Sequence, residues 1–194
     1  PLYHWSHLEL QRYFDCDLVI CEKNCEEIWR ITAEKLASPE MSAKNLIRNS
    51  NVDLLCTTDD PADSLEYHKQ IADSGFEVKV LPAFRPDKGL NIERKGVAAY
   101  FKTLGEACGV DIVDLTTLEK AYGVSLDRFD SLGCKTADHG MDDVIGFTKP
   151  DAYHADEILK KAIASDGADV TPEELVLFKS QMMRFFGCEY KKRG

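Results

Sequence analysis

Between residues 51 and 140 the chain alternates short apolar runs with helix-forming stretches, and this alternation limits the fold more than any other feature. "VDLLCTT" (52–58) and "FEVKVLPAF" (76–84) read as strands, and "PADSLEYHKQIADSG" (61–75) between them reads as a helix opened by proline and closed by glycine. Further helices are predicted over about 94–107 and 114–132, with "CKTADHG" (134–140) as a third strand. Strands separated by helices predict a parallel sheet with right-handed crossovers. In such sheets chemistry collects beyond the carboxyl ends of the strands. Here those ends carry Thr57, Thr58, Asp59 and Asp60, then Arg85 and Asp87, then Asp138 and His139.

The flanks are helical. "SHLELQRYF" (6–14) offers Ser6 as an N-cap with Glu9 three residues on, and "NCEEIWRITAEKLAS" and "SAKNLIRN" supply two more helices. At the other end "TPEELVLFKSQMMRFFGCEYKKR" carries Thr171 as N-cap, Pro172 at the first helical position and Glu174 at the capping-box position. The sequence therefore divides into a helical segment, 1–50, and an α/β segment, 51–194, that ends in a long helix.

Composition narrows the partners. A chain of 194 residues with 44% hydrophobic content can bury one sizeable core. The 34 acidic residues outnumber the 24 basic ones, for a net charge of -10, so no nucleic-acid partner is expected. The terminal "KKRG" reads as a solvated helix end. No apolar run is long enough to span a bilayer, and "PLYHWSHLEL" lacks the pattern of a signal peptide, so a soluble protein away from membranes is expected. Seven cysteines with no CxxC pair suggest reduced thiols and a cytoplasmic setting. Cys16, Cys21 and Cys25 have spacings that match no common zinc pattern.

Each residue at the strand ends also has a purely structural reading. Asp60 would cap the helix that follows, Asp87 would serve a turn before "KG", and His139 would sit partly buried with backbone partners. Tyr67 and His68 belong to the flanking helix. Arg85 and Asp138 are harder to set aside, because a charge directly after an apolar strand is costly if buried unpaired; a mutual ion pair is their structural role. Three such coincidences on one edge favour a site.

Five stretches, "PLYHWSHLELQRYF", "CTTDDPADSLEYH", "VLPAFRPDKGLNIE", "GCKTADHGMD" and "EYKKRG", resemble in order the middle portion of the uronate (glucuronate) isomerase family of the amidohydrolase superfamily. The resemblance implies an α/β fold of partial TIM-barrel type, three or so βα units of a (β/α)8 barrel, with the N-terminal helical segment inserted near its start. It implies a fragment of an enzyme that interconverts D-glucuronate and D-fructuronate, or D-galacturonate and D-tagaturonate, by aldose–ketose isomerisation. Arg85 matches the arginine of the family's "RPDK" motif and Asp138 the aspartate of "DHG", both placed at the hexuronate site; Tyr3, His4 and His7 match the "LYHW" motif.

On this reading Asp138 is the candidate catalytic residue, with Arg85, Tyr3, His4, Asp59 and His139 as substrate-binding candidates. A planar guanidinium suits a sugar carboxylate, and a carboxylate in a partly dry pocket suits general-base work. The family also implies a divalent metal, zinc or manganese, held by an HxH motif and a late aspartate. No HxH is present, and His4 and His7 make a poor metal pair, so the ligands are expected outside this chain and the chain alone is expected to be inactive. Exposed strand edges leave homo-oligomer formation open. Two other readings remain: a non-catalytic binding module built on the same fold, and an amidohydrolase-type hydrolase, which "TTDDP" and "RPDK" disfavour.

Overall fold

The computed structural model describes residues 1–140 and 146–194 and divides them into two compact units, Pro1–Asp53 and Leu54–Gly194. Met141 and Asp142, the last residues of "GCKTADHGMD", lie outside the described residues.

The first unit holds three helices, α1 (Leu2–Phe14), α2 (Cys25–Leu36) and α3 (Ala43–Asn49), with short 3-10 turns at Glu22–Asn24 and Pro39–Met41. Ser6 is not a cap. The helix already begins at Leu2, and the Trp5 amide bonds to the Pro1 carbonyl at 3.1 Å, so Ser6 falls in its second turn. Tyr13 reaches Ser50 at 2.8 Å, which ties the first helix to the end of the third.

Among its described residues the second unit carries four short strands: β1 (Leu54–Cys56), β2 (Lys79–Leu81), β3 (Ala83–Phe84) and β4 (Thr136–Ala137). They form two parallel two-stranded sheets, β1 with β2 in the register Leu54 to Lys79, and β3 with β4 in the register Ala83 to Thr136. Pro82 separates β2 from β3 because it has no amide hydrogen to give to the ladder. A parallel bridge between Asp59 and Phe84 carries the pairing past the proline.

The described residues of this unit also form six helices: α4 (Glu66–Asp73), α5 (Asp87–Leu90), α6 (Val97–Cys108), α7 (Leu115–Ser131), α8 (Ala152–Ser165) and α9 (Pro172–Arg193). Burial is uneven across the strands. Leu54 is 47% exposed, whereas Ala83 and Phe84 are buried, so the apolar runs of the sequence are not all core. Phe84 sits among rings from α7 and α9: Phe129 at 5.1 Å, Phe186 at 5.9 Å, and Tyr122 and Tyr190 each at 6.3 Å between centroids. These edge-on contacts join the long helices to the strand that leads into Arg85.

Two helical expectations need correction. The helix after β1 begins at Glu66, five residues later than Pro61, because Asp60 and Asp63 hold the backbone in a turn. The Ala62 amide donates to Asp60 Oδ1 and the Asp60 amide to Asp63 Oδ2, both at 2.9 Å, and such local bonds compete with a helix. Asp60 is therefore a turn residue and not the cap of α4. The sequence reading also proposed no helix at 152–165, although Asp151 accepts the His154 amide there as an N-cap and Ala155, Ile158, Leu159 and Ala162 form its buried face.

The last helix forms as expected. Thr171 and Glu174 make the reciprocal capping box, and Lys161 from α8 binds the Glu174 carboxylate at 2.6 Å. Among the described residues no helix is long and apolar enough to cross a membrane.

Two tests follow from this packing. A Cβ added at Gly89 would stand 1.9 Å from the buried Tyr122 hydroxyl, so Gly89→Ala is expected to cost about 2–3 kcal/mol in urea denaturation. Lys161 and the Thr171 amide hold the Glu174 carboxyl below its ordinary range. A depressed folded-state value stabilises the fold above the ordinary Glu range, and that contribution is lost as pH falls through the folded-state value. Thermal melts between pH 7 and 3 should accordingly show a smaller acid loss for Glu174→Gln than for the parent.

Candidate functional site

The sheet delivers the sequence-predicted residues of the second unit to one edge. The Arg85 amide donates to the Asp59 carbonyl at 3.0 Å and the Asp138 amide to the Phe84 carbonyl at 2.9 Å, so the three strand ends are stitched side by side. Arg85 Nε then binds Asp87 Oδ2 at 2.7 Å, and its Nη1 lies 3.5 Å from Asp138 Oδ2. The ion pair between Arg85 and Asp138 is thus present, yet it is open to solvent: the two side chains are 39% and 48% exposed. Asp87 is more than a turn residue. It opens α5, and its carboxylate accepts the Gly140 amide at 2.9 Å, which fixes the loop after β4 against the loop after β3.

Thr58, Asp59, Asp60, Asp63, Arg85, Asp87 and Lys88 line a cavity of about 380 Å³. Four carboxylates and two cations share its wall. Asp60 is heavily engaged, with Tyr100 Oη donating to Oδ1 at 3.2 Å and Lys88 Nζ 3.2 Å from Oδ2. Burial pushes the Tyr100 phenol far above its ordinary range, and nearby Tyr122 and Asp60 push it the same way, so Tyr100 stays protonated as a donor. From α7, Ser125 Oγ at 2.7 Å and Arg128 Nη2 at 2.6 Å both donate to the Pro61 carbonyl and anchor this loop from beneath.

His139 is partly buried as expected, but its partner is a side chain and not the backbone. Its Nε2 meets Tyr190 Oη of α9 at 3.0 Å. Burial lowers its pKa, and the Asp87 and Asp138 carboxylates oppose that shift only in part. The ring is therefore neutral near pH 7.

Tyr3 and His4 belong to α1 in the first unit, where Tyr3 is exposed. His7 has both ring nitrogens committed: Nδ1 bonds to the Tyr3 carbonyl at 2.7 Å and Nε2 accepts the Ile20 amide at 2.8 Å. Sequence reasoning missed Lys88, Asp63 and Tyr100 as parts of the cavity wall or its support. It also placed His68 only on the flanking helix, where it does lie, although its ring reaches back to Thr57 at 2.7 Å. A signal for it existed, since His68 stands in the first turn of α4, directly behind the strand end.

The sequence profile described as glucuronate isomerase matches residues 1–194. The chain belongs to this family. Among relatives, the uronate isomerase of Lachnoclostridium phytofermentans is 46% identical over 195 residues, covering 100% of this chain and 41% of that protein. Of the solved structures in the family, the uronate isomerase of Thermotoga maritima superimposes with a TM-score of 0.91 at 35% identity, over 99% of this chain and 42% of that one. The glucuronate isomerase of Caulobacter crescentus gives 0.87 at 25% identity, over 97% and 39% respectively. The chain thus spans about two fifths of the length of these family members.

Within this family member, Gly140 has little room for a side chain. A Cβ there would lie 2.7 Å from Asp87 Oδ2 and 3.1 Å from Arg85 Nη2. Gly140→Ala is expected to displace the Asp87 carboxylate and release the amide at 140, which hydrogen exchange would register as lost protection at that position.

Proposed function

We propose that this chain is the portion of a uronate isomerase that contributes the arginine clamp for a hexuronate substrate, in an enzyme that interconverts aldose and ketose sugar acids such as D-glucuronate and D-fructuronate. The observation that carries this reading is the half-exposed Arg85 guanidinium, held at the end of the central strand between Asp87 and Asp138. A planar guanidinium binds a carboxylate through two parallel bonds, and a strongly acidic protein needs such a local cation to take up an anionic sugar. Membership in the family and the fit to two uronate or glucuronate isomerase structures support the same assignment.

On this proposal Asp138 is the group that moves a proton or holds a sugar hydroxyl, because among the described residues it is the more exposed of the two carboxylates paired with Arg85. Asp59 shapes the site from its wall, His139 follows Asp138 in the chain, and His139, Tyr3 and His4 are assigned to the substrate by the family resemblance alone. The strands would belong to a (β/α)8 barrel of the amidohydrolase type, completed by segments outside these residues, in a cytoplasmic enzyme of sugar-acid metabolism. The divalent metal implied by the family, zinc or manganese, would take its ligands from elsewhere in the protein, since the family's HxH motif has no counterpart in this sequence.

A coupled assay of D-glucuronate isomerisation tests this, run on the 194-residue chain and on a form extended to the length of its relatives, with zinc or manganese added. Activity confined to the extended form is expected; no isomerase activity in the extended form would sink the assignment. In that form Arg85→Lys should raise KM by a factor equivalent to about 1–3 kcal/mol, because a point charge replaces a fork. An unchanged KM would remove Arg85 from the substrate.

A further inference from the structure

Behind the first strand end lies a polar cluster of which the proposed function uses only Asp59. Thr57, Asp59 and His68 meet there, with the Asp59 and His68 side chains only 13% and 10% exposed. Thr57 Oγ1 lies 2.6 Å from Asp59 Oδ2 and 2.7 Å from His68 Nε2, while His68 Nε2 is 3.7 Å from the same carboxylate oxygen.

A hydroxyl has one proton to give. The short contact between Thr57 and a carboxylate requires that proton, since two oxygen lone pairs would otherwise face each other at hydrogen-bond distance. Thr57 Oγ1 must then accept from the histidine, which puts the imidazole proton on Nε2. His68 Nδ1 is buried with no partner among the described residues. A bare lone pair there costs less than an unpaired buried N–H, which points to the same tautomer.

Asp59 is also where the chain recovers from Pro82. Its amide donates to the Ala83 carbonyl at 3.0 Å, its carbonyl accepts the Arg85 amide at 3.0 Å, and its Oδ2 accepts the Ala83 amide at 3.3 Å. Both residues that flank Phe84 are thus bonded to Asp59.

We infer that His68 is a positioning residue for Arg85: it donates from Nε2 to Thr57, Thr57 donates to Asp59, and the oriented Asp59 fixes residues 83–85 so that the guanidinium meets the substrate in one place. This rests on Arg85 binding the uronate, as proposed above. His68 takes no proton from the substrate and touches it nowhere; its effect passes through two hydrogen bonds and one strand.

Kinetics of the extended enzyme test the relay. His68→Leu should raise KM by about tenfold with kcat little changed, the size of effect expected from loosening one hydrogen-bonded carboxylate. His68→Gln, which returns an N–H donor, should recover most of the loss. Thr57→Val should match His68→Leu, and the double variant should be no worse than either, because both break one chain. A wild-type KM in His68→Leu, a His68→Gln as impaired as His68→Leu, or additive losses would overturn the inference.

Nitrogen-15 spectra of the unmodified protein give a readout free of folding defects and of activity. The Nε2–H form of His68 is expected, and an Nδ1–H form would end the proposal. If no uronate is turned over by any form, the functional reading fails and the tautomer decides His68 by itself.

Discussion

The burial of Phe84 is the constraint on which the rest of the second unit depends. Its ring is enclosed by Phe129, Phe186, Tyr122 and Tyr190, so α7 and α9 are fixed with respect to the central strand by apolar packing. Strand geometry then governs what comes next. Successive side chains alternate in direction, and the residue after a buried phenylalanine is brought to the strand's end with its backbone already paired. That residue is Arg85. The placement of the guanidinium is therefore a consequence of core packing one residue earlier.

Around this anchor the polar groups fall into two kinds. Asp60 and Asp59 are taken up by internal donors, the first by Tyr100, Lys88 and the Ala62 amide, the second by Thr57 and the Ala83 amide. Such carboxylates are rigid and keep the cavity wall in shape. Asp138 is different: it is about half exposed and its approach to Arg85 at 3.5 Å is loose. A loose exposed pair costs little to separate, whereas a carboxylate with several internal donors would leave them unsatisfied if it moved. The division between fixed and loosely held carboxylates thus follows from how many donors each has satisfied.

Pro82 explains why so much side-chain bonding gathers here. By removing one amide from the middle strand it breaks the ladder into two short sheets, and the Asp59 carboxylate supplies an acceptor where regular pairing is lost. The break falls just before the site residues.

Much of this was legible in the sequence. Alternating strands and helices gave the parallel pairing, Thr171, Pro172 and Glu174 gave the start of α9 to the residue, and the charges after each apolar run pointed to the edge where Arg85, Asp87 and Asp138 meet. These signals are local, since capping, periodicity and strand ends are encoded within a few residues of one another. The sequence could not show that Asp60 and Asp63 would hold a turn in place of a helix start, that Leu54 would stand exposed while Phe84 was enclosed, or that His139 would pair with Tyr190. Nor could it bring His68 to Thr57 or Lys88 and Tyr100 to Asp60. Those partners lie up to 51 residues apart and meet only when helices dock on the sheet. Residue type and spacing settled which charged groups would follow the strands; tertiary packing alone decided which of them were bound internally and which stayed open to solvent, because hydrogen-bond partners across the fold are chosen by distance in space and not by distance along the chain.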